Sequence, residues 1–333
     1  MQYTVGDYEY EKYVCTPAGV RDMIAQYGVA IIPSVLNNEE VEKMKDGMWE
    51  TVSHLTSRLS RPVKRDEPET YRSFLDLMPM HSMLVQHWSI GHSQFAWDVR
   101  QNPRVVDVYA KIWDVDPADL LTSFDACSIH MPPEITKRGW YRYGSWLHTD
   151  QSFSDSSFKC IQSWVTGYDV NEGDATLAFL EGSNRWHEEF GAKYGLGGFK
   201  DDWYKLGNDE QHRFYEEKGC QKKCIRCPAG SMVLWDSRTI HSGQEAVKAR
   251  SAPNFRCVVY VCMEPRPSAS DKKTVNMYAK KRKAFDELRL TSHWPLKSKL
   301  FGKNPRTYGA ELPDVPEMPK PVLTELGRRL AGF

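Results

Sequence analysis

Apolar residues recur at helical spacing early in the chain, at Val41, Met44, Met48, Val52 and Leu55, behind the polar run Asn37-Asn38-Glu39-Glu40. Residues three and four apart share one helix face, and this polar run is a capping start, so the spacing predicts an amphipathic helix reaching about Leu59. A shorter helix is expected from Thr16-Pro17 to Tyr27, closed by Gly28, with Val29-Ala30-Ile31-Ile32-Pro33 following as a buried strand. Between Arg61 and Asp116 the chain is rich in Trp, Phe, His and Met with mixed helix and loop signals, and His81, His87 and His92 there read as structural or solvent-facing.

From Leu120 the pattern changes to short runs of Val, Ile, Trp and Tyr separated by Pro, Gly, Asn and Asp turns. Strands are expected over Leu121 to Met131, Trp146 to Asp150, Cys160 to Asp169, Thr176 to Leu180, Ser231 to Leu234 and Arg256 to Met263. Short strands in this number predict a mainly β protein with flanking helices (α+β), built on a double-stranded β-helix, the cupin-like jelly roll. The chain of 333 residues then divides as one domain: a helical region over 1–119, a jelly-roll core over 120–265 with a lid insertion at 184–219, and a C-terminal helix and tail over 266–333. In the last part, Ser270-Asp271 caps a helix to about Leu288, a Pro-rich tail runs from Trp294 to Pro321, and a final helix spans Val322 to Leu330.

Charge narrows the function. Lys plus Arg balance Asp plus Glu at 44 each, so no global positive field draws a phosphate backbone or an anionic membrane. The run Lys280-Lys281-Arg282-Lys283 reads as a solvated helix face. The opening Met1-Gln2-Tyr3-Thr4-Val5-Gly6-Asp7 lacks the basic and apolar regions of a secretory signal, and an intracellular, cytoplasmic protein is expected, with a small-molecule substrate and no nucleic-acid or membrane partner, its oligomeric state left open with a monomer compatible. The eight cysteines are scattered and expected as reduced thiols. Cys220, Cys224 and Cys227 have the one spacing suggestive of zinc, but no second pair stands near, which favours ordinary thiols.

His148-Thr149-Asp150 falls at a strand end, and residues i and i+2 of a strand point to one face, so both side chains can converge on one ion. The spacing is cheap: His187-Glu188-Glu189 also has it, at the head of the insertion. What distinguishes the first is a third candidate far downstream, His241, after the buried run Ser231 to Asp236 and a tight reversal. Two imidazoles and a carboxylate on one face of an octahedron leave three positions open, which suits Fe(II) binding an oxoacid and dioxygen together. A zinc hydrolase uses a similar set, and a non-catalytic jelly-roll binding module is the other rival.

The segments Trp146-Leu147-His148-Thr149-Asp150-Gln151, Trp164, Leu177-Ala178-Phe179-Leu180-Glu181-Gly182-Ser183 and Ala229 to Gly243, in this order, resemble the phytanoyl-CoA dioxygenase family, most closely over residues 120–265 and more weakly at Ser292-His293-Trp294-Pro295. Asp174-Ala175 and Glu181 depart from that family's more usual Asn-Gly and Pro. The resemblance implies iron ligands at His148, Asp150 and His241, with Fe(II), 2-oxoglutarate and O2 as cofactor and co-substrates and ascorbate as a stimulant. It also implies an aromatic residue, Trp164, beside the co-substrate, although its strand would bury a core tryptophan as well. A basic residue after the last histidine would hold the distal carboxylate, since a guanidinium meets a carboxylate bidentately. Arg250 and Arg256 compete; Arg256 opens an apolar strand whose alternation points it inward with Val258 and Tyr260, and is preferred. The implied reaction couples decarboxylation of 2-oxoglutarate to succinate with oxidation of an unactivated C–H bond, by hydroxylation or by ring closure or desaturation as in kainoid synthases. Asp150 argues against a halogenase. The expected substrate is a small, acidic, secondary-metabolite or amino-acid-derived molecule, an acyl-CoA being the alternative. Trp140, Tyr141, Arg142, Tyr143, Trp186 and Trp203 are candidates for its entrance.

Overall fold

The computed structural model describes residues 5–297 and 299–333; the first four residues, part of the opening read above for a signal, lie outside the described residues. Helix α1 (Val20–Tyr27) follows a turn begun by Pro17, and Gly28 closes it at φ 81°. A Cβ at Gly28 would stand 2.7 Å from Thr239 Oγ1, so both the positive φ and the close approach demand glycine. Helix α2 (Asn38–Thr56) starts with a reciprocal capping box: Asn37 Oδ1 accepts from the Glu40 N–H at 2.9 Å and Glu40 Oε2 from the Asn37 N–H at 2.8 Å. Its buried face carries Val41, Met44, Met48, Val52 and Leu55, as the spacing predicts.

The strands are β1 (Asp7–Glu9), β2 (Val29–Ile32), β3 (Leu84–Val85), β4 (Leu120–Thr122), β5 (Cys127–His130), β6 (His148–Thr149) and β7 (Ile161–Thr166). They continue with β8 (Thr176–Leu180), β9 (Tyr204–Lys205), β10 (Lys222–Ile225), β11 (Met232–Asp236), β12 (His241–Gln244) and β13 (Arg256–Pro265). One sheet has the order β1-β10-β8-β12-β6-β9; the other runs β2-β11-β7-β13-β5-β3, with β4 also on β13. This is the jelly-roll sandwich, and period-two alternation explains its burial. Val29, Ile31, Val233, Trp235 and Val258 point between the sheets with Trp164 and Phe179. Their neighbours Ala30, Ile32, Met232, Leu234, Cys257 and Val259 face the opposite way, into the core shared with α1 and α2. A sheet covered on both faces reads as unbroken apolar runs, which is why its strands were legible.

Three expectations change. The run Leu121 to Met131 is two strands, because the backbone between them bonds elsewhere: buried Arg100 takes the Asp125 carbonyl at 2.7 Å, and Phe124 N–H donates to Thr291 Oγ1 at 3.0 Å. Strand β10 was not expected, since KKCI looks polar yet lies almost wholly buried. The insertion docks through α6 (His187–Lys193) and α7 (Asp209–Glu217), whose Phe190, Phe214 and Tyr215 pack with Leu147 and Phe153, and β9 pairs with β6. Among the described residues no helix is long and apolar enough to cross a membrane.

The basic run on α8 (Lys272–Asp286) is not wholly a solvated face. Lys281 is 1% exposed, with its ammonium on the Thr122 carbonyl and 4.3 Å over the Phe124 ring. Burial pulls its pKa down to about 7, with Glu264 opposing and Arg100, Cys262 and Arg266 also facing it. Between that value and the unfolded one, the folded chain binds fewer protons than the unfolded chain, so this destabilising contribution fades as pH rises above about 7. Relative to the parent, Lys281→Met should therefore gain most in melting temperature near neutral pH, the gap narrowing toward about pH 10. A gap constant with pH in thermal melts would show that the ammonium is not its source.

Candidate active site

The register of the first sheet sets His241 on β12 opposite His148 on β6, ring centroids 4.5 Å apart. Asp150 follows β6, held by its N–H to the Ser237 carbonyl at 2.9 Å. Its Oδ2 lies 3.7 Å from His148 Nε2 and 3.3 Å from His241 Nε2, and one ligand atom from each of the three groups falls within 4.8 Å of the others. Each imidazole is oriented by its own strand: His148 Nδ1 bonds the Trp146 carbonyl and His241 Nδ1 the Thr239 carbonyl, both at 2.9 Å. A backbone carbonyl fixes the proton on Nδ1 and leaves Nε2 with the lone pair an ion requires. One contact would have to yield, the Trp235 indole N–H at 3.2 Å from His241 Nε2.

Electrostatics suit a cation. Burial, then the neighbouring His148, lowers the pKa of His241, which favours the neutral ligand form. Burial pushes the Asp150 carboxyl up, but His148, His293 and bonds to both imidazoles outweigh it, leaving it well below the usual range. Gln162 of β7 donates to the same Oδ2 at 2.9 Å and so orients the carboxylate. Its signal was in the sequence: it stands two residues before Trp164 and shares that residue's face.

A cavity of about 550 Å³ opens from this centre. Arg256, 4% exposed, lines it; its Nε donates to Ser128 Oγ at 2.9 Å and its Nη1 to the Ala175 carbonyl at 3.0 Å. Among the described residues no carboxylate forms an ion pair with Arg256. A buried guanidinium without a counter-ion is costly, and a carboxylate ligand would remove the penalty. Arg250 is the opposite case, closed between Glu134 at 2.5 Å and Asp174 at 2.9 Å and outside the cavity lining. Trp164 is 1% exposed, belongs to the core between the sheets, and also lines the cavity, its ring 5.3 Å from the Arg256 guanidinium.

Of the expected entrance residues only Trp203 lines the cavity, 5.7 Å from the His148 ring. The rim joins the insertion to the tail through Lys297–Asp202 at 2.6 Å and Lys299–Asp201 at 3.5 Å. His81, read as structural or solvent-facing, instead lines the cavity and stacks on Trp146 at 4.4 Å, which in turn stacks on His148 at 5.0 Å. His87 and His92 are buried on backbone carbonyls. His187 is engaged at both nitrogens, by Ser156 Oγ at 2.8 Å and the Gln151 carbonyl at 3.0 Å. Cys220, Cys224 and Cys227 are free buried thiols and belong to no metal-sized cluster among the described residues.

Comparison with known proteins agrees with this geometry. The family profile described as Phytanoyl-CoA dioxygenase (PhyH) matches residues 24–251. "Ava biosynthesis cluster protein O" of Aspergillus versicolor is 26% identical over 193 residues, 56% of this chain and 59% of that protein, so the match spans under two thirds of that relative. The fold is shared with a Salmonella typhimurium LT2 protein at 12% identity, TM-score 0.59, covering 96% of this chain and 86% of the other. It is shared also with GlcNAc Inducible Gene 2 (GIG2) of Candida albicans at 13% identity, TM-score 0.55, covering 82% and 70%.

Replacing Gln162 by Leu should weaken divalent-ion affinity roughly 10- to 100-fold, as loss of an orienting partner does elsewhere. His187→Gln should leave that affinity unchanged. Equilibrium titration with Fe(II) or Co(II) distinguishes the two, and equal affinities in all three proteins would remove Gln162 from the site.

Proposed function

The chain belongs to the phytanoyl-CoA dioxygenase family of non-haem Fe(II)- and 2-oxoglutarate-dependent oxygenases, and from that premise we propose that His148, Asp150 and His241 hold the iron while Arg256 binds the remote carboxylate of 2-oxoglutarate. The observation that carries this reading is the buried, unpaired guanidinium in the same cavity as the triad. A non-catalytic binding module has no use for a metal triad and an anion site in one cavity, and oxygen-dependent turnover separates the oxygenase from a zinc hydrolase.

Iron and 2-oxoglutarate, when bound with O2, supply an oxidation that yields succinate and CO2 and inserts oxygen at, or removes hydrogen from, a substrate carbon. The chain's own work is placement. The imidazoles of His148 and His241 and an ionised Asp150 present three donors on one side, leaving the opposite side to ligands. Trp164 and Tyr260 wall the Arg256 end, so its bond to a carboxylate forms away from bulk water. The insertion 184–219 serves as lid, with Asp201, Asp202 and Trp203 at its inner edge.

The substrate is a small organic molecule of a biosynthetic pathway, a reading supported by the name of the Aspergillus relative. Hydroxylation, desaturation and ring closure all begin from the same hydrogen removal, and the cavity admits each. An acyl-CoA is the alternative, and Lys281, being buried, takes no part in holding its phosphates.

Purified protein given Fe(II), ascorbate and 2-oxoglutarate should form succinate only with oxygen, and His148→Ala should abolish it. Arg256→Ala should raise the 2-oxoglutarate requirement by more than about tenfold, as expected when one partner of a buried ion pair is truncated. Arg250→Ala should lower the melting temperature and leave that requirement near the parent's. Iron-independent succinate, or an unchanged requirement in Arg256→Ala, would sink the assignment.

A further inference from the structure

Asp125 and His293 of the cavity wall have no part in these roles. Asp125, between β4 and β5, lines the cavity; its carboxylate accepts the Ala126 N–H at 2.7 Å, and among the described residues no ion pair reaches it. His293, on the segment after α8, is close enough to influence both Asp125 and Asp150, and its Nε2 is buried without a partner. The flanking Ser292 Oγ and Trp294 Nε1 are likewise buried and unpartnered, so three consecutive residues of one cavity wall carry unmet polar atoms just beneath its surface. Buried polar atoms are seldom left unmet, and such a concentration beside a cavity marks a surface built to be completed by a ligand.

The charges say what kind of ligand. Lining the cavity are Asp125, Asp150, Asp201 and Asp202, against Lys205, Arg256, Lys297 and Lys299. Lys297 and Lys299 are held by Asp202 and Asp201 at the rim, Asp150 serves the iron, and Arg256 serves 2-oxoglutarate. What remains is the Asp125 carboxyl in the interior, pushed up by burial and only partly offset by His293 and Arg100, and an exposed lysine, Lys205, at the edge. An acidic substrate would bring its charge against Asp125, whereas a protonated nitrogen would find there the partner that the protein itself omits. The aromatic walls at Trp146, Trp203 and Phe301 would take the apolar body.

We propose that Asp125, with His293 beside it, recognises a basic nitrogen on the primary substrate, so that this site oxidises an amine-, amidine- or guanidine-bearing small molecule and not an acid. The proposal rests on the cavity being the oxygenase site, and it replaces the acidic substrate expected from the sequence.

Tryptamine and indole-3-propionate carry one ring on chains of equal length and differ in the sign of their charge. Each is titrated calorimetrically, without oxygen, into the protein with Fe(II) and 2-oxoglutarate and into the protein without either. With Fe(II) and 2-oxoglutarate in place, so that Arg256 is occupied, tryptamine should bind the parent about tenfold or more tighter than the acid, and Asp125→Asn, which still accepts the Ala126 N–H, should erase the difference. In that state equal affinities, preference for the acid, no detectable amine binding at millimolar concentration, or a preference that survives in Asp125→Asn would overturn the proposal. The visible absorption that Fe(II) gains on chelating a 2-oxoacid is recorded in the same samples. Its absence beside an intact amine preference would defeat the oxygenase reading alone; its presence without that preference would defeat the basic-nitrogen site alone.

Discussion

A single cross-strand register, His241 opposite His148, carries the chemistry of this molecule. Strand β6 is only two residues long and does not hold itself in place. Thr149 Oγ1 and the Asp150 N–H both bond the Ser237 carbonyl at 2.9 Å, tying the strand to the turn that delivers His241. On its other edge β9 of the insertion pairs with it. The triad is therefore built from a turn, a two-residue strand and an inserted segment that are stable only together. A shift of one residue in β6 would send His148 to the opposite face and leave no site.

Buried charge is handled differently at neighbouring points. Arg250 and Arg256 are six residues apart and both withdrawn from water, yet one is closed by Glu134 and Asp174 and the other has neutral partners only. The closed pair holds the loop before β13; the open one keeps its binding capacity for a ligand. Asp125 is the anionic counterpart in the wall that faces the metal centre: among the described residues it forms no ion pair, with only His293 and Arg100 near enough to offset its burial. Since desolvated charges are expensive, those the fold leaves unneutralised point to what it binds.

Much of the fold was legible in the chain because it depends on short-range spacing. The capping box at Asn37 and Glu40, the stripe Val41 to Leu55, and the alternation on β2, β7, β11 and β13 are set by backbone geometry over a few residues. Strand β10 escaped because polar residues buried by neighbours give no hydrophobic signal of their own.

By itself, the sequence determined which residue types stand at metal-binding spacing and which strand directs Arg256 inward, since i to i+2 geometry is local. Only the tertiary structure decided that His148 and His241 meet and His187 does not, that Arg250 is already satisfied, and that Lys281 is buried. It alone gathered Asp125, Gln162 and His293 around Asp150. Contacts between residues distant in the chain follow from sheet register and from how the tail and insertion pack, and no local pattern of residues encodes them.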